Sequence, residues 1–298
     1  MKPLIFLLLV LFCFENNFSQ NKNQHQNKVT TSNSYQYLNA NQWKYWISNM
    51  GPAAVNPDLN NPGALWPGGG QNLFQNLISS NGLFWGGKIG GKIFITRMGR
   101  IFDPYLQAGR IFDDGTASDP KDERFRIFKI MKAWESIPIG TERDMLEKDY
   151  NEWPVEDGAP WVDMDGDGIF ARGIDQPAFP GDEVLWCISN DLDTTIIPWQ
   201  NFIPGGGFPY DVPIPVGIEV QTTAYSFMRT GDLGDLVIIN YRLINKSGKN
   251  ITEMYLGYSS DVILGETNDS FIGVDTSLNL AYGYDRDNQS QYYSIPLL

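Results

Sequence analysis

GIEVQTTAYSFM (residues 217–228), LVIINYRLIN (236–245) and ITEMYLGYSSDVIL (251–264) carry the strongest strand pattern in this sequence. All three are rich in β-branched and aromatic residues, and turn-forming residues separate them at 229–232 and 245–248. Long strands at such intervals are typical of antiparallel sandwiches. We therefore expect a mainly β protein, built as one or more antiparallel β-sandwiches with long Pro/Gly-rich loops and one or two short helices.

Upstream stretches extend this pattern. Asn81-Gly82 is a dipeptide that favours a hairpin turn, and the stretch 83–97 alternates apolar with polar residues, with glycines at turns or bulges. RFRIFKIMKAW (124–134) also alternates, which favours an inner strand of a sandwich, although a helix remains an alternative. Residues 142–153 have helical spacing and good helix formers, and Pro154 ends the pattern.

An acidic loop lies in the middle of the chain, in the stretch 158–193. Asp163, Asp165 and Asp167 alternate with other residues and Gly168 follows. In a calcium loop, positions 1, 3 and 5 point oxygens at the ion. A glycine at position 6 then permits the sharp turn that brings the carbonyl of position 7, here Ile169, to the metal. This spacing predicts a calcium site.

The loop departs from the EF-hand pattern at its far end. Position 12 would be a glutamate, but it is Ile174, and Asp175 follows one residue later as a further predicted ligand. Pro160 and Pro177 argue against flanking helices, so we expect strands or turns on either side. The alternative is a hydrated acidic turn, since Asp and Gly also favour turns. Three carboxylates within five residues repel one another without a cation, which favours calcium.

The N-terminal residues predict export. Lys2 precedes an apolar run from Leu4 to Phe14, and small residues follow, which together are typical of a signal peptide over 1–19. Such a run is too short to span a bilayer. We expect a polar linker at 20–40, then a β-rich region with the calcium loop at 41–200. A β-sandwich region is expected at 201–298, truncated at its C-terminus.

Composition limits the partners. The formal net charge of −13 and the pI near 4.5 argue against nucleic acid and against anionic membrane surfaces. No later apolar run reaches membrane length, so no transmembrane segment is expected in the mature chain. Export implies an extracellular or outer-cell-surface location.

Most catalytic designs lack a required residue. The single histidine, His25, lies in the polar tract, which argues against Ser-His-Asp triads, Cys-His pairs and imidazole-bound zinc. Cys187 is the one cysteine beyond the signal peptide, so it has no intramolecular disulfide partner, and its apolar neighbours predict a buried thiol.

Carboxylate chemistry remains open. Glycoside hydrolases need two acids at a suitable separation beside aromatic platforms. The candidate acids are Glu152, Glu156, Asp157 and Glu183. Trp66 and Trp199, in Pro/Gly loops, are candidate exposed carbohydrate contacts.

A series of sequence blocks resembles the N-terminal region of large, uncharacterised secreted bacterial proteins that carry a C-terminal type IX secretion sorting domain. The resemblance covers residues 41–298 and keeps the block order. The blocks are WGGK, AGRI, EWPVEDGAPWVDMDGDG, PGDEVLWCISND, GIEVQTTAYSF, GDLGDLVIINYRLINKSGKNI and YLGYSSDVILGETNDSFIGVDTSLNLAYGYD. It implies export, a cell-surface or extracellular location and a downstream sorting module. Val262 and Ile263 interrupt an acidic run of that family, which leaves a second calcium site at Asp261, Asp269 and Asp275 open.

Together these observations predict a secreted, calcium-stabilised, β-rich surface or adhesive scaffold without catalysis of its own. The alternative is an extracellular carbohydrate-binding protein or glycoside hydrolase component that uses acidic and tryptophan residues. Expected partners are extracellular glycans or cell-surface components.

Overall fold

A computed structural model describes residues 34–58, 63–68, 76–96, 105–193, 215–264 and 270–285. Within these ranges the protein is mainly β, with antiparallel sheets and one α-helix, α1 (Thr141–Asn151), which confirms the predicted fold class. The strands are β1 (Tyr35–Leu38), β2 (Lys44–Ser48), β3 (Ala64–Leu65), β4 (Ile78–Ile89), β5 (Lys92–Ile95), β6 (Gln107–Ala108), β7 (Phe128–Met131), β8 (Trp161–Val162), β9 (Gln176–Pro177), β10 (Glu183–Asn190), β11 (Ile218–Ser226), β12 (Val237–Asn245), β13 (Ile251–Val262), β14 (Ser270–Asp275) and β15 (Leu280–Asp285).

The central sheet has the order β12-β11-β10, and both β6 and β7 pair with β10 on its other side. The β10–β11 ladder runs antiparallel from Glu183↔Ser226 to Asn190↔Glu219. Every residue of β10 is buried, because other layers cover both faces of the sheet. The strands predicted from 217–228 and 236–245 are therefore the inner and edge strands of this sheet.

A second layer covers one face of the central sheet. It combines the order β13-β4-β5 with the order β1-β2-β3, and Ala53 joins the two groups by bridges to Ile47 and Asn81. Leu185 and Cys187 of β10 point into this interface and belong to the same apolar cluster as Ile47. The two layers thus form a sandwich, with its core between them.

The opposite face of the central sheet is covered by α1 and the segments around it. Val184, Trp186 and Ile188 alternate with the sandwich-facing residues of β10 and pack in a cluster with Phe128 and Trp153. Trp153 has no exposed surface and lies just after the end of α1. Successive side chains of β10 therefore pack into two different hydrophobic cores, one on each face of the central sheet.

Cys187 is buried as predicted, and burial raises the pKa of its thiol to about 12. The thiol is thus protonated at neutral pH. No helix within the described residues has the length and apolarity needed to cross a bilayer.

Three local predictions differ from the structure. Asn81-Gly82 lies inside β4 instead of at a turn, and the chain reverses at Gly90-Gly91 between β4 and β5. The 124–134 stretch contributes β7, which pairs only with β10 among the described strands and is not an inner strand. The polar tract at 20–40 ends in β1, whose Leu38 has no exposed surface, so its last residues are core and not linker.

Tertiary contacts explain the position of Asn81-Gly82. Asn81 is buried, pairs with Ala53 by backbone hydrogen bonds, and donates a side-chain hydrogen bond to the Tyr45 hydroxyl. A Cβ on Gly82 would lie 3.0 Å from the Tyr105 hydroxyl, a close approach that glycine avoids. The dipeptide is thus fixed by neighbours far away in sequence and not by turn geometry.

The expected regions 41–200 and 201–298 share both sandwich layers. The β10–β11 ladder and the β4–β13 ladder each pair a strand from one region with a strand from the other. The boundary at residue 200 therefore passes through both sheets.

Candidate metal centre

The acidic loop lies between two short paired strands. β8 and β9 form an antiparallel ladder through Trp161↔Pro177 and Val162↔Gln176, so the two ends of the loop 163–175 are held side by side. The flanking elements are strands, as expected from the prolines on either side.

Asp163 organises the first half of the loop. Its Oδ1 accepts a hydrogen bond from Gly166 N at 2.6 Å, and its Oδ2 accepts one from Gly168 N at 2.8 Å. Gly168 has φ +76°, a conformation that favours glycine, so it makes the sharp turn predicted for the sixth loop position. The Gly168 N–H, with support from Gly166, lowers the pKa of Asp163, which keeps this carboxylate in the ionised form that a metal requires.

Asp175 closes the second half of the loop. Its Oδ1 accepts from Met164 N at 2.8 Å and its Oδ2 from Ala171 N at 2.7 Å. The residue is only 5% exposed, although neighbouring Ile174 is 57% exposed. The carboxylate one residue beyond the EF-hand position is therefore the one that turns inward.

Three of the four predicted carboxylates come together. Asp163, Asp165 and Asp175 each offer one oxygen, and these oxygens lie within 4.8 Å of one another. A carboxylate can accept at about four positions. Asp163 and Asp175 each use two on backbone amides, and Asp165 uses one, on Asp167 N. Each of the three therefore keeps acceptor capacity for a cation.

Asp167 lies outside this group. Its Oδ1 accepts a hydrogen bond from Ile169 N at 2.7 Å. This bond to the backbone two residues later forms a local turn and occupies the carboxylate. Ile169, whose carbonyl is the fifth predicted ligand, has a side chain that is 69% exposed.

All-oxygen carboxylate donors suit a hard cation such as calcium, which accepts six to eight oxygens. Three carboxylates cannot complete that number alone. The residues present would hold calcium through Asp163, Asp165 and Asp175, with carbonyl oxygens or water in the remaining positions.

The sequence left a second calcium site open at Asp261, Asp269 and Asp275, and two of these residues lie in the described ranges. Asp261 accepts from the Ser79 hydroxyl, and Asp275 accepts from Ser277 N at 2.9 Å and from its hydroxyl at 2.6 Å. Asp269 lies outside the described residues. Across the described ranges, the loop 163–175 holds the one group of acids with metal-ligand spacing.

The acids considered for glycoside hydrolysis are all paired with cations. Asp157 meets Arg110 and Arg124, and Arg124 also meets Glu156. Glu152 lies 2.7 Å from Arg126 Nη2.

Glu183 is paired inside the sandwich. Its Oε1 lies 2.7 Å from Lys129 Nζ, in the interior and away from any open surface. Of the two candidate carbohydrate contacts, Trp66 is half-buried and donates its indole N–H to Asp235 Oδ1 at 2.9 Å. Trp199 lies outside the described residues.

A cleft of about 640 Å³ opens between the end of α1 and the acidic loop. We call it the arginine cleft, and its principal lining residues are Arg124, Arg126, Glu152, Glu156, Asp157 and Arg172. The sequence indicates these acids as candidate functional residues but does not indicate the arginines. The sequence feature that could have indicated the arginines is the alternation of Arg124 and Arg126 around Phe125, which is buried in the structure.

Arg172 connects the acidic loop to the helix. Its Nη1 donates to the carbonyl of Asn151, the last residue of α1, and its Nη2 donates to the Trp153 carbonyl at 3.3 Å. The last carbonyls of a helix have no intrahelical partner, and a cation there is favourable. One residue of the loop thus caps the helix and lines the arginine cleft.

Comparisons with known protein families, with curated proteins and with solved structures give no match for this chain.

Proposed function

We propose that this chain is a secreted, β-rich surface or adhesive scaffold whose loop 163–175 binds calcium and thereby stabilises the fold. The observation that carries the proposal is the convergence of Asp163, Asp165 and Asp175 to within 4.8 Å in a loop with ends fixed by β8 and β9. A cation there removes the mutual repulsion of three carboxylates.

The position of the loop gives calcium a structural effect. Arg172 belongs to the loop and caps α1, and α1 covers one face of the central sheet. An ion that orders the loop would therefore also hold the helix against β10. Since Cys187 has no disulfide partner beyond the signal peptide, a metal would supply the crosslink that secreted proteins often obtain from cystine.

Thermal unfolding tests calcium binding. A ligand that binds only the folded state raises its stability by about 2.7 kcal/mol at a hundredfold excess over Kd. We expect calcium to raise Tm by roughly 5–10 °C over the same protein in EDTA. Equal midpoints in both conditions contradict the proposal. Asp144→Asn, an exposed acid on α1, is the control that should keep the full calcium response.

The expected location rests on residues 1–19, which have the pattern of a signal peptide, and on the acidic, β-rich composition. Cell fractionation and surface proteolysis of the native host test it. Recovery of the full-length protein in the cytoplasm contradicts export.

Glycoside hydrolysis is the weaker alternative. Each candidate acid already meets an arginine or lysine, and Glu183 lies in the interior. A reducing-sugar assay on neutral polysaccharides separates the two functions, because a scaffold releases no sugar.

A further inference from the structure

We infer that the arginine cleft is a binding site for a neutral oligosaccharide. The inference does not rest on the calcium proposal: it assigns a ligand class to a cleft whose lining excludes the three aspartates but includes Phe170 and Arg172 of the same loop. Its volume of about 640 Å³ lies within the usual range of small-molecule sites.

The charges of the cleft are balanced. Its lining holds four cationic and four acidic side chains, including Lys148 and Glu123 at one edge. The chain as a whole has a net charge of −13, whereas the charges that line the cleft cancel. For a ligand with a large charge of either sign, repulsion by the like charges of the lining would offset attraction by the opposite charges.

The arginines are already engaged. Arg126 donates through Nε to Asp149, through Nη1 to the Glu123 carbonyl and through Nη2 to Glu152. Arg124 uses Nε and Nη2 on Asp157, and Nη2 also on Glu156. An anionic ligand would have to displace these carboxylates, which argues against sulfated or acidic glycans.

The unused hydrogen-bonding capacity belongs mainly to acceptors. Glu152 and Glu156 each contact an arginine through Oε2, and their side chains are 51% and 87% exposed. Their remaining lone pairs need O–H or N–H donors. Arg172 also lines the cleft and uses two of its five N–H groups on carbonyls, so it still has donors to offer.

Sugar hydroxyls match this arrangement because each one both donates and accepts. Adjacent hydroxyls of a pyranose can donate to a glutamate while accepting from an arginine, and charged partners make such bonds stronger than neutral ones. Phe170 lines the same cleft, half-buried and edge-on to Trp161 at 5.4 Å, and the Arg172 guanidinium lies over its ring at 5.7 Å. The ring surface that these neighbours leave is apolar and can contact the C–H groups of a sugar.

The test is calorimetric titration of the full chain, in calcium throughout, with neutral hexasaccharides of glucose, mannose and xylose, and with polygalacturonate and heparin as anionic probes. We expect at least one neutral hexasaccharide to bind and the anionic probes not to bind. Glu152→Gln and Glu156→Gln should each weaken binding roughly tenfold, the usual loss when a charged acceptor becomes neutral.

Glu147→Gln is the matched control, since Glu147 is an exposed glutamate of α1 outside the cleft lining. It should bind as the unmodified chain does. The inference is overturned if no neutral hexasaccharide binds, if only the anionic probes bind, or if Glu147→Gln weakens binding as much as Glu152→Gln.

Glu156 is too exposed for its replacement to unfold the protein, so a folding defect in Glu152→Gln leaves the test intact. The titration in calcium measures sugar binding, whereas the melting experiment measures the calcium effect without sugar, so the failure of one proposal is distinguishable from the failure of the other.

Discussion

Lys129 and Glu183 form an ion pair in the interior, with 2.7 Å between Nζ and Oε1 and no exposed surface on Glu183. The second oxygen of Glu183 accepts from the Asn39 and Ala40 amides at 2.8 Å each, and from the Ser226 hydroxyl at 3.0 Å. One carboxylate thus joins the segment after β1 to β7, β10 and β11.

Removing one partner of this pair should be costly. Lys129→Met leaves the Glu183 charge buried without its cation, and we expect the free energy of unfolding to fall by about 3–5 kcal/mol. Urea denaturation measures the loss. The control is Lys132→Met, which removes an exposed pair with Asp182 at 3.5 Å and should cost less than about 1 kcal/mol. Equal losses for the two variants would contradict a special role for the buried pair.

Asp191 should give stability a distinct pH dependence. Burial raises the pKa of Asp191, while hydrogen bonds from Ile218, Gly217 and Val216 oppose the shift. The folded state therefore binds this proton more tightly than the unfolded state. Its contribution to stability is full below the ordinary aspartate pKa of about 4 and is lost as pH rises through the raised value.

The measurement compares the unmodified chain with Asp191→Asn by urea denaturation across this pH range. The advantage of the aspartate over the asparagine should shrink as pH rises from about 4 and then become level. An advantage that grows with pH would show that the folded pKa is lowered instead.

Gly158 should tolerate a methyl group poorly. It has φ +100°, and an added Cβ would lie 2.3 Å from Gln221 Nε2, the atom that donates to the Asp157 carbonyl at 3.0 Å. Gly115 has a similar φ of +83° and nothing within 4 Å of its Cβ position. We expect Gly115→Ala to cost about 1–2 kcal/mol for the backbone alone.

Gly158→Ala should cost a further 1–3 kcal/mol, roughly, because Gln221 must move and give up its hydrogen bond. The difference between the two variants in thermal or urea unfolding isolates the packing effect. The same loss in both would mean that Gln221 relaxes freely.

The metal ligands can be distinguished by conservative replacement. If calcium binds where the three carboxylates meet, Asp175→Asn should remove most of the calcium-dependent rise in Tm. Asp167→Asn should keep most of it, because the Asp167 carboxylate accepts from Ile169 N and lies outside the group. Melting each variant in calcium and in EDTA is the measurement. If Asp167→Asn loses the calcium-dependent rise in Tm, Asp167 is a calcium ligand, as its spacing in the sequence predicts.

The long strands could be predicted because their pattern is local. β11, β12 and β13 lie within the stretches 217–228, 236–245 and 251–264, whose residue pattern predicts long strands, and α1 starts one residue before the predicted helix. In each case the side chains within the segment determine the structure. The β-branched runs and the helix formers agree with the tertiary fold.

Other features depend on partners far along the chain. Asn81-Gly82 favours a turn by itself, but Ala53 and Tyr45 hold it in a strand. Asp167 and Asp175 both belong to the loop 163–175, and the inward turn of Asp175 follows from hydrogen bonds donated by the Met164 and Ala171 amides, which spacing does not show.

The arginine cleft is a further example of such dependence. Arg126 and Glu152 are far apart in sequence and meet only because α1 folds over the central sheet. The sequence indicates the acids of the cleft but not which arginines pair with them. The charge balance of the cleft therefore becomes visible only in three dimensions.

The antiparallel pairing of β4 with β13 has a consequence for how the chain folds. Ile89 pairs with Ile251 and Ile78 with Val262, so more than half of the sequence lies between the partners. Closing such a long loop lowers the chain entropy before the β4–β13 contacts form and offset the loss, and this slows folding. A chain that emerges N-terminus first exposes β4, with its apolar Trp85, until residue 262 is available. During that interval, a chaperone that shields strand edges would protect the nascent chain from aggregation.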